Sequence, residues 1–337
     1  MQVKHLASIG CRIHLRPQRS VYERIRRKLL FRNRYEEHHV RQIGTGADLI
    51  VISQGGNIDG LAWMEAARAQ RLKYAVVSES ANEQWWPADD VGERLATCYE
   101  SACAAFFVSE ANLALTRRQV GTPLSRGRVF RNPFNVRYDA RPVWPSDTPG
   151  RLSLACVGRL DVFQKGQDIL IEVLAQDHWR ERNVRVTFAG RGQNERTLRR
   201  AADRMRLPNL EFAGFVENIE KFWTEYHALV LPSRFEGMPL SLVEAMLCGR
   251  PSIVTDVAGH RELVRDNANG FLAKAPTVEL LDEAMNRAWE RRHQLREMGD
   301  MAARDVRRWV SPDPTGDFVD ELDALVNGEA QRQVLTQ

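Results

Sequence analysis

The sequence predicts an α/β protein of two parallel-sheet domains. Three observations lead there. Short β-branched runs alternate with helical patterns in both halves of the chain. A proline-rich stretch, Arg137–Gly150 (RYDARPVWPSDTPG), divides those halves with linker chemistry. The length, 337 residues, fits two domains at roughly 150 residues each. The predicted layout is a first domain over 1–136, a linker over 137–150, a second domain over 151–310 and a tail over 311–337.

In the first half, Ser20–Gln42 reads as a helix with Val21, Ile25, Leu29 and Leu30 on its apolar stripe and Arg and Lys opposite. Asp48–Ser53 is a buried strand, then come the loop Gln54–Asn57 and a helix near Asp59–Gln70. Tyr74–Ser78 is a strand that ends in the polar loop Glu79–Asp90. A helix from about Val91 leads to the strand Ala105–Ser109, the helix Ala111–Gln119 and the strand Arg128–Arg131, which stops at Asn132-Pro133. In the second half, Leu152–Val157, Val184–Ala189, Leu210–Ala213, Ala228–Leu231 and Ser252–Thr255 read as strands. Helices over Gln167–Ala175, Glu195–Met205, Ile219–Tyr226, from Pro239 and over Glu279–Trp309 lie between or after them, and Asp317–Val326 is one more. This half is doubly wound in outline, so ligands are expected at the carboxyl ends of its strands.

Composition narrows the function. Hydrophobic residues are 43% and charged residues 27% of the chain, which excludes disorder and low-complexity scaffolds. A net charge of +4 does not point to nucleic acid. The charge is uneven: residues 1–43 carry +8 and the remainder −4. The five cysteines are scattered and form no CxxC, as reduced thiols in a cytoplasmic protein would. No apolar run approaches the roughly 20 residues of a membrane span. The stretch before Arg12 is too short for a signal peptide. The basic face of Ser20–Gln42 is ordinarily a solvated helix face, but it would also suit peripheral contact with an anionic membrane.

The residues that promise chemistry lie at strand ends. Ser233–Cys248 (SRFEGMPLSLVEAMLC) follows a buried strand and opens a helix, with Pro239 suited to the first helical position and Gly249 to the cap. The helix is apolar nearly all round except for Ser241, Glu244 and Cys248, one narrow polar stripe. A carboxylate on a buried helix is costly unless something pairs with it. Glu236 lies at the strand-to-helix turn, and the free N–H groups at Met238–Ser241 favour an anion. Two hydroxyl-binding carboxylates beside such a helix end suit a sugar nucleotide. The plainer reading is a cap at Glu236 and a buried partner for Glu244. Val157–Gly166 (VGRLDVFQKG) sets Arg159 and Lys165 across a loop, where two cations can hold a diphosphate; two solvated charges are the commoner outcome. Gly190-Arg191-Gly192 follows another strand, as a close-approach site or simply a tight turn.

Together LACVGRLDVFQKG, VTFAGRG, LEFAGFVENI, LPSRFEGMPLSLVEAMLCGRPSIVTDVAGHRELV and NGFLA resemble the retaining glycosyltransferases of family four, from Leu152 to about Val310. The resemblance implies the GT-B fold, two Rossmann-like doubly wound domains across a cleft, the first shortened here. It implies a retaining transfer from a nucleotide diphosphate sugar to an acceptor hydroxyl on a glycan or lipid-linked substrate, in polysaccharide or glycolipid assembly. It implies that Glu236 contacts donor sugar hydroxyls and Glu244 the ribose. Arg159 and Lys165 would hold the diphosphate, and Phe215 and Val216 would lie beside the base. Gly190, Met238, Leu240 and Ser241 complete the expected donor site. Neither a cofactor nor a metal is expected, in keeping with the lack of an Asp-x-Asp pair.

FFVSEANLALTRRQVG and VFRNPFN are similar to the end of the family's acceptor domain. Two features depart from its pattern. No glycine-rich loop precedes Ser20, and the segment after Tyr74–Ser78 reads SESANEQWW, without the family's frequent histidine. Trp85 and Trp86 diverge, so at most one can line the cleft, and burial in the domain core is the expected role. His260 is either a donor contact or a hydrogen-bonded loop residue. Two rival readings follow: a non-catalytic sugar-nucleotide-binding subunit, separable by donor turnover, and a nucleotide-dependent oxidoreductase, opposed by the lack of a Gly-x-Gly-x-x-Gly.

Overall fold

The computed structural model describes residues 34–44, 46–146 and 150–328. The expected helix Ser20–Gln42 lies mostly outside them; its described part is the helix α1, Arg34–Gly44. Four parallel strands follow in the first domain: β1 (Ile50–Gly56), β2 (Tyr74–Ser80), β3 (Ala104–Phe107) and β4 (Gly127–Val129). Between them run α2 (Leu61–Ala69), α3 (Asp89–Ser101) and α4 (Glu110–Val120). The spatial order is β1-β2-β3-β4. Right-handed crossovers between strands in sequential order place every connecting helix on one face. On that face Ile52, Val76, Ala105 and Phe107 pack against Met64, Leu95, Tyr99 and Leu113.

The other face carries Ala75, Val77, Ala104 and Phe106, and the far end of the chain covers it. The tail helix is longer than expected, Pro314–Asn327, because Asp313 caps it at Gly316 N (2.9 Å). Its Phe318 meets Phe106 and Phe130 with ring centroids at 5.1 and 4.8 Å, and Arg128 pairs with Glu321 at 2.5 Å. This tail is therefore packed as a layer of the first domain.

The second domain holds β5 (Leu152–Val157), β6 (Val184–Ala189), β7 (Leu210–Gly214), β8 (Ala228–Leu231), β9 (Ser252–Thr255) and β10 (Gly270–Ala273). All are parallel, in the order β10-β9-β8-β5-β6-β7. The chain winds outward from β5 through β6 and β7, then returns to the other side of β5 and winds outward through β8, β9 and β10. This is the doubly wound pattern, and its switch point lies between β5 and β8. Leu154, Val186, Phe188 and Val230 fill one face of the sheet; Ala155, Leu229, Leu231 and Val254 fill the other.

Helices α5 (Val162–Lys165), α6 (Gln167–Leu174), α7 (Asp177–Glu181), α8 (Glu195–Arg204), α9 (Ile219–Phe222), α10 (Leu240–Leu247), α11 (His260–Leu263), α12 (Val278–Glu290) and α13 (Leu295–Trp309) cover them. The single helical pattern expected over Glu279–Trp309 is broken at Arg291–Gln294, where a 3₁₀ turn redirects the chain. Strand β10 was not expected: its four residues, GFLA, are too few to show a period.

The linker is held down rather than slack. The buried Arg250 donates to Val143 O at 2.8 Å and to Trp223 O and Tyr226 O. Arg307 donates to Tyr138 O and Ala140 O at 2.9 and 3.0 Å. Among the described residues no helix is long and apolar enough to cross a membrane.

Candidate active site

The switch point puts the turns after β5 and β8 side by side, and the site grows from them. Arg159 lies two residues beyond β5. The next residues close one helical turn, with Lys165 N donating to Asp161 O at 2.7 Å. Lys165 thus ends a short helix, not the open loop expected from sequence. That turn aims its ammonium at the carboxylate that follows β8. Lys165 Nζ reaches Glu236 Oε1 at 2.6 Å, with side-chain exposures of 13% and 4%. Ser233 Oγ donates to the same oxygen at 2.8 Å, and Gln164 Nε2 to the other at 3.3 Å. Arg159 Nη2 in turn donates to Gln164 Oε1 at 2.8 Å. The two cations and the carboxylate read from sequence are therefore one connected group. Gln164 joins them, a residue that the sequence reading did not single out.

Helix α10 begins beside this group. Pro239 is its N-cap in extended conformation rather than its first helical residue, and no side chain caps the end. Its first N–H groups are thus available to an anion. Met238, Pro239 and Leu240 line the cleft. Arg159, Lys165 and Glu236 line it with them, as do Asp161, Phe163, Gln164 and Phe235.

The opposite wall belongs to the first domain: Gly55, Gly56, Asp59, Glu79, Ser80, Trp85 and Asn132. The glycines of the QGGN segment end β1 and face the cleft. Asp59 is held by Gly56 N at 2.7 Å and Glu79 by Asn132 Nδ2 at 2.7 Å. The cleft has a volume of about 650 Å³. Trp85 is not in the domain core as expected. It crosses the cleft mouth to Phe235 and Phe163, with centroids at 5.3 and 6.4 Å, while Trp86 is 61% exposed. Its indole therefore bridges the two domains.

Other expected site residues lie away from this lining. Glu244 is buried on α10, where its Oε1 accepts from Asn135 N at 3.0 Å and Asn135 Nδ2 at 2.8 Å. Burial raises its pKa, and the two Asn135 hydrogen bonds oppose that shift. Asn135 is a partner that sequence reasoning missed, although it ends the quoted VFRNPFN. Ser241 is buried, and Phe215 is 67% exposed on the surface beyond β7. Val216 is partly buried against the core cluster that holds Leu229 and Leu231. Gly190, at φ +143°, lets the backbone lie on Gly158; a methyl there would drive into the Gly158 carbonyl. The close approach it permits is to the turn that carries Arg159. His260 is fully buried, Nδ1 lies 2.6 Å from Thr255 O, and burial lowers its pKa.

The domains meet along one side of the cleft. Gly237 sits against the Glu79 carbonyl, Glu262 Oε1 accepts from Ala111 N at 3.0 Å, and Arg131 pairs with Glu262 at 3.5 Å.

The site is thus a doubly wound domain with cations and an uncapped helix start at its switch point, facing a second parallel-sheet domain across a cleft. The arrangement is the GT-B fold. Residues 151–291 match the family model of glycosyl transferases group 1. The chain is similar to the putative glycosyltransferase EpsD of Bacillus subtilis, 26% identical over 51% of this chain and 45% of that protein. It is similar to glycogen synthase of Pseudomonas savastanoi, 29% identical over 48% of this chain and 33% of that protein. The matches thus span less than half the length of these curated relatives.

Among solved structures, Anabaena HepE in complex with UDP superposes with a TM-score of 0.70 at 19% identity, covering 86% of this chain and 82% of that one. A glycosyltransferase from Rickettsia africae gives 0.74 at 12% identity, over 96% and 87%. At such identities the likeness is one of fold.

Proposed function

We propose that the chain is a retaining, metal-independent hexosyltransferase that moves a sugar from a nucleotide diphosphate donor to a hydroxyl of a glycan or lipid-linked acceptor. The observation that carries the reading is the Arg159–Gln164–Glu236–Lys165 group at the switch point of a domain of the glycosyl transferases group 1 family. Breaking the bond between sugar and diphosphate leaves negative charge on the β-phosphate, which must be stabilised more in the transition state than before it. Arg159 meets that charge with a planar fork, Lys165 with a point charge and α10 with its first N–H groups.

A bound diphosphate competes with Glu236 for Lys165. As Lys165 turns to it, Glu236 is free to accept hydroxyls of the donor sugar, still steadied by Ser233. Glu244, fixed by Asn135, is assigned to the ribose. The acceptor is assigned to the first-domain wall, where Asp59 and Glu79 present carboxylates and Trp85 an aromatic face. No covalent nucleophile is assigned; retention then follows from attack on the leaving-group face.

The test is release of nucleoside diphosphate from a panel of sugar nucleotides, with and without glycan acceptors. UDP-glucose comes first because HepE was solved with it. Acceptor-dependent release supports the reading. Donor binding without release under any acceptor supports the non-catalytic subunit instead.

A further inference from the structure

A second cavity, of about 560 Å³, lies at the opposite end of the second domain, beneath the amino ends of its strands. It opens where the linker Ala140–Trp144 passes the turn between α10 and β9 and the helix α13. Five arginines line it, Arg141, Arg250, Arg296, Arg304 and Arg307, against one acid, Asp300. Arg250 and Arg307 form its floor, and their hydrogen bonds go to backbone carbonyls. Carbonyls satisfy the N–H groups without bringing a formal counter-charge, and the one carboxylate of the lining, Asp300, acts on Arg250 only through space. Arg296, Asp300 and Arg304 stand at i, i+4 and i+8 on one face of α13, yet Asp300 lies within ion-pair distance of neither arginine. The exposed Arg141 comes from the linker side, and Trp144 gives one wall.

We propose that this arginine pocket binds a phosphate-bearing anion of at least two negative charges. It is a site distinct from the donor cleft, and the proposal does not depend on the transfer reaction. The chemistry selects phosphate. Arginines from the linker and from two turns of α13 line one concave space, and each guanidinium fork can bind two phosphate oxygens. The pocket's excess positive charge is repaid when an anion enters, whereas a neutral ligand leaves it standing. Arg250 and Arg307 also hold the linker carbonyls, so the anion would bear on the segment that joins the domains.

The experiment uses the full chain carrying Lys165→Ala, which removes the cleft's main claim on diphosphate. Calorimetry with inorganic pyrophosphate should still show one binding event. Arg296→Ala/Arg304→Ala in the same background should weaken it by about 100-fold, a factor of about ten for each charged hydrogen-bond donor. Both positions are exposed, so an unchanged melting temperature is expected and separates lost binding from lost folding. A parallel arm sediments the protein with phosphatidylcholine vesicles, with and without phosphatidylglycerol. Retention on the anionic vesicles that the double variant abolishes assigns the phosphate to a lipid headgroup; pyrophosphate binding alone assigns it to a free anion. Pyrophosphate and vesicle binding both untouched by the double variant, or absent from the Lys165→Ala protein, would overturn the proposal.

Discussion

Removing Lys165 asks two questions of one contact. The ammonium lies 2.6 Å from a carboxylate whose side chain is only 4% exposed. Breaking one side of a buried pair typically costs about 3–5 kcal/mol, because the other charge stays behind. Ser233 and Gln164 still donate to Glu236, so Lys165→Met belongs at the lower end, about 3 kcal/mol. For a domain of this size that lowers the melting temperature by about 6–12 °C. Lys165→Met/Glu236→Gln removes the orphan charge as well, and a neutral pair of similar shape should regain most of the loss. Catalysis should behave otherwise. Losing one charged donor to a developing oxyanion costs about 100- to 1000-fold in rate, and the second substitution cannot return it. Thermal unfolding and initial rates of diphosphate release, on wild type and both variants, read the two effects separately. If the double variant recovers turnover along with stability, Lys165 serves only to neutralise Glu236, and its assignment to the leaving group is refuted.

Glu244→Gln should weaken nucleoside diphosphate binding by about 1.5–3 kcal/mol in calorimetry. Burial raises the Glu244 pKa, so its ionised form costs the folded state as pH rises through that value; the variant should be no less stable than wild type at neutral pH, and any gain should fade below the unfolded carboxyl range. Gly237→Ala puts a methyl into the Glu79 carbonyl, so small-angle scattering should show the domains further apart and turnover should fall, with the second domain still folded. Trp85→Ala should raise the acceptor KM while leaving donor binding within a few-fold, measured in the same release assay. Activity should persist in excess EDTA, and Arg159→Lys should recover only part of the Arg159 contribution, since an ammonium lacks the two-pronged contact; restoration by added magnesium or manganese after EDTA would refute metal independence.

The second domain was legible because its signals are local. Strand, turn and helix start occur within a dozen residues around Glu236, and the same holds around Arg159. What escaped was either too short or too distant. A four-residue helical turn before Gly166 has no period to read, yet it aims Lys165. The pairing of Asn135 with Glu244 joins residues 109 apart in sequence. Trp85 sits in a polar loop whose course is set by the other domain, so neither composition nor spacing shows that Phe163 and Phe235 await it. Gly55 and Gly56 read as part of a loop over Gln54–Asn57, whereas they extend β1, and only the packing of the two domains turned them toward the cleft.

The helix over Pro314–Asn327 has a consequence for how the molecule is made. Phe106 and Phe130 leave the ribosome about two hundred residues before Phe318, the ring they pack against. During synthesis the first sheet has helices on one side and bare alanine, valine and phenylalanine on the other. The second domain, complete in itself, can settle while that side still waits. The later-made helix then acts as a clasp, and a nascent chain that stalls short of it presents a sticky sheet to whatever chaperone stands at the tunnel exit.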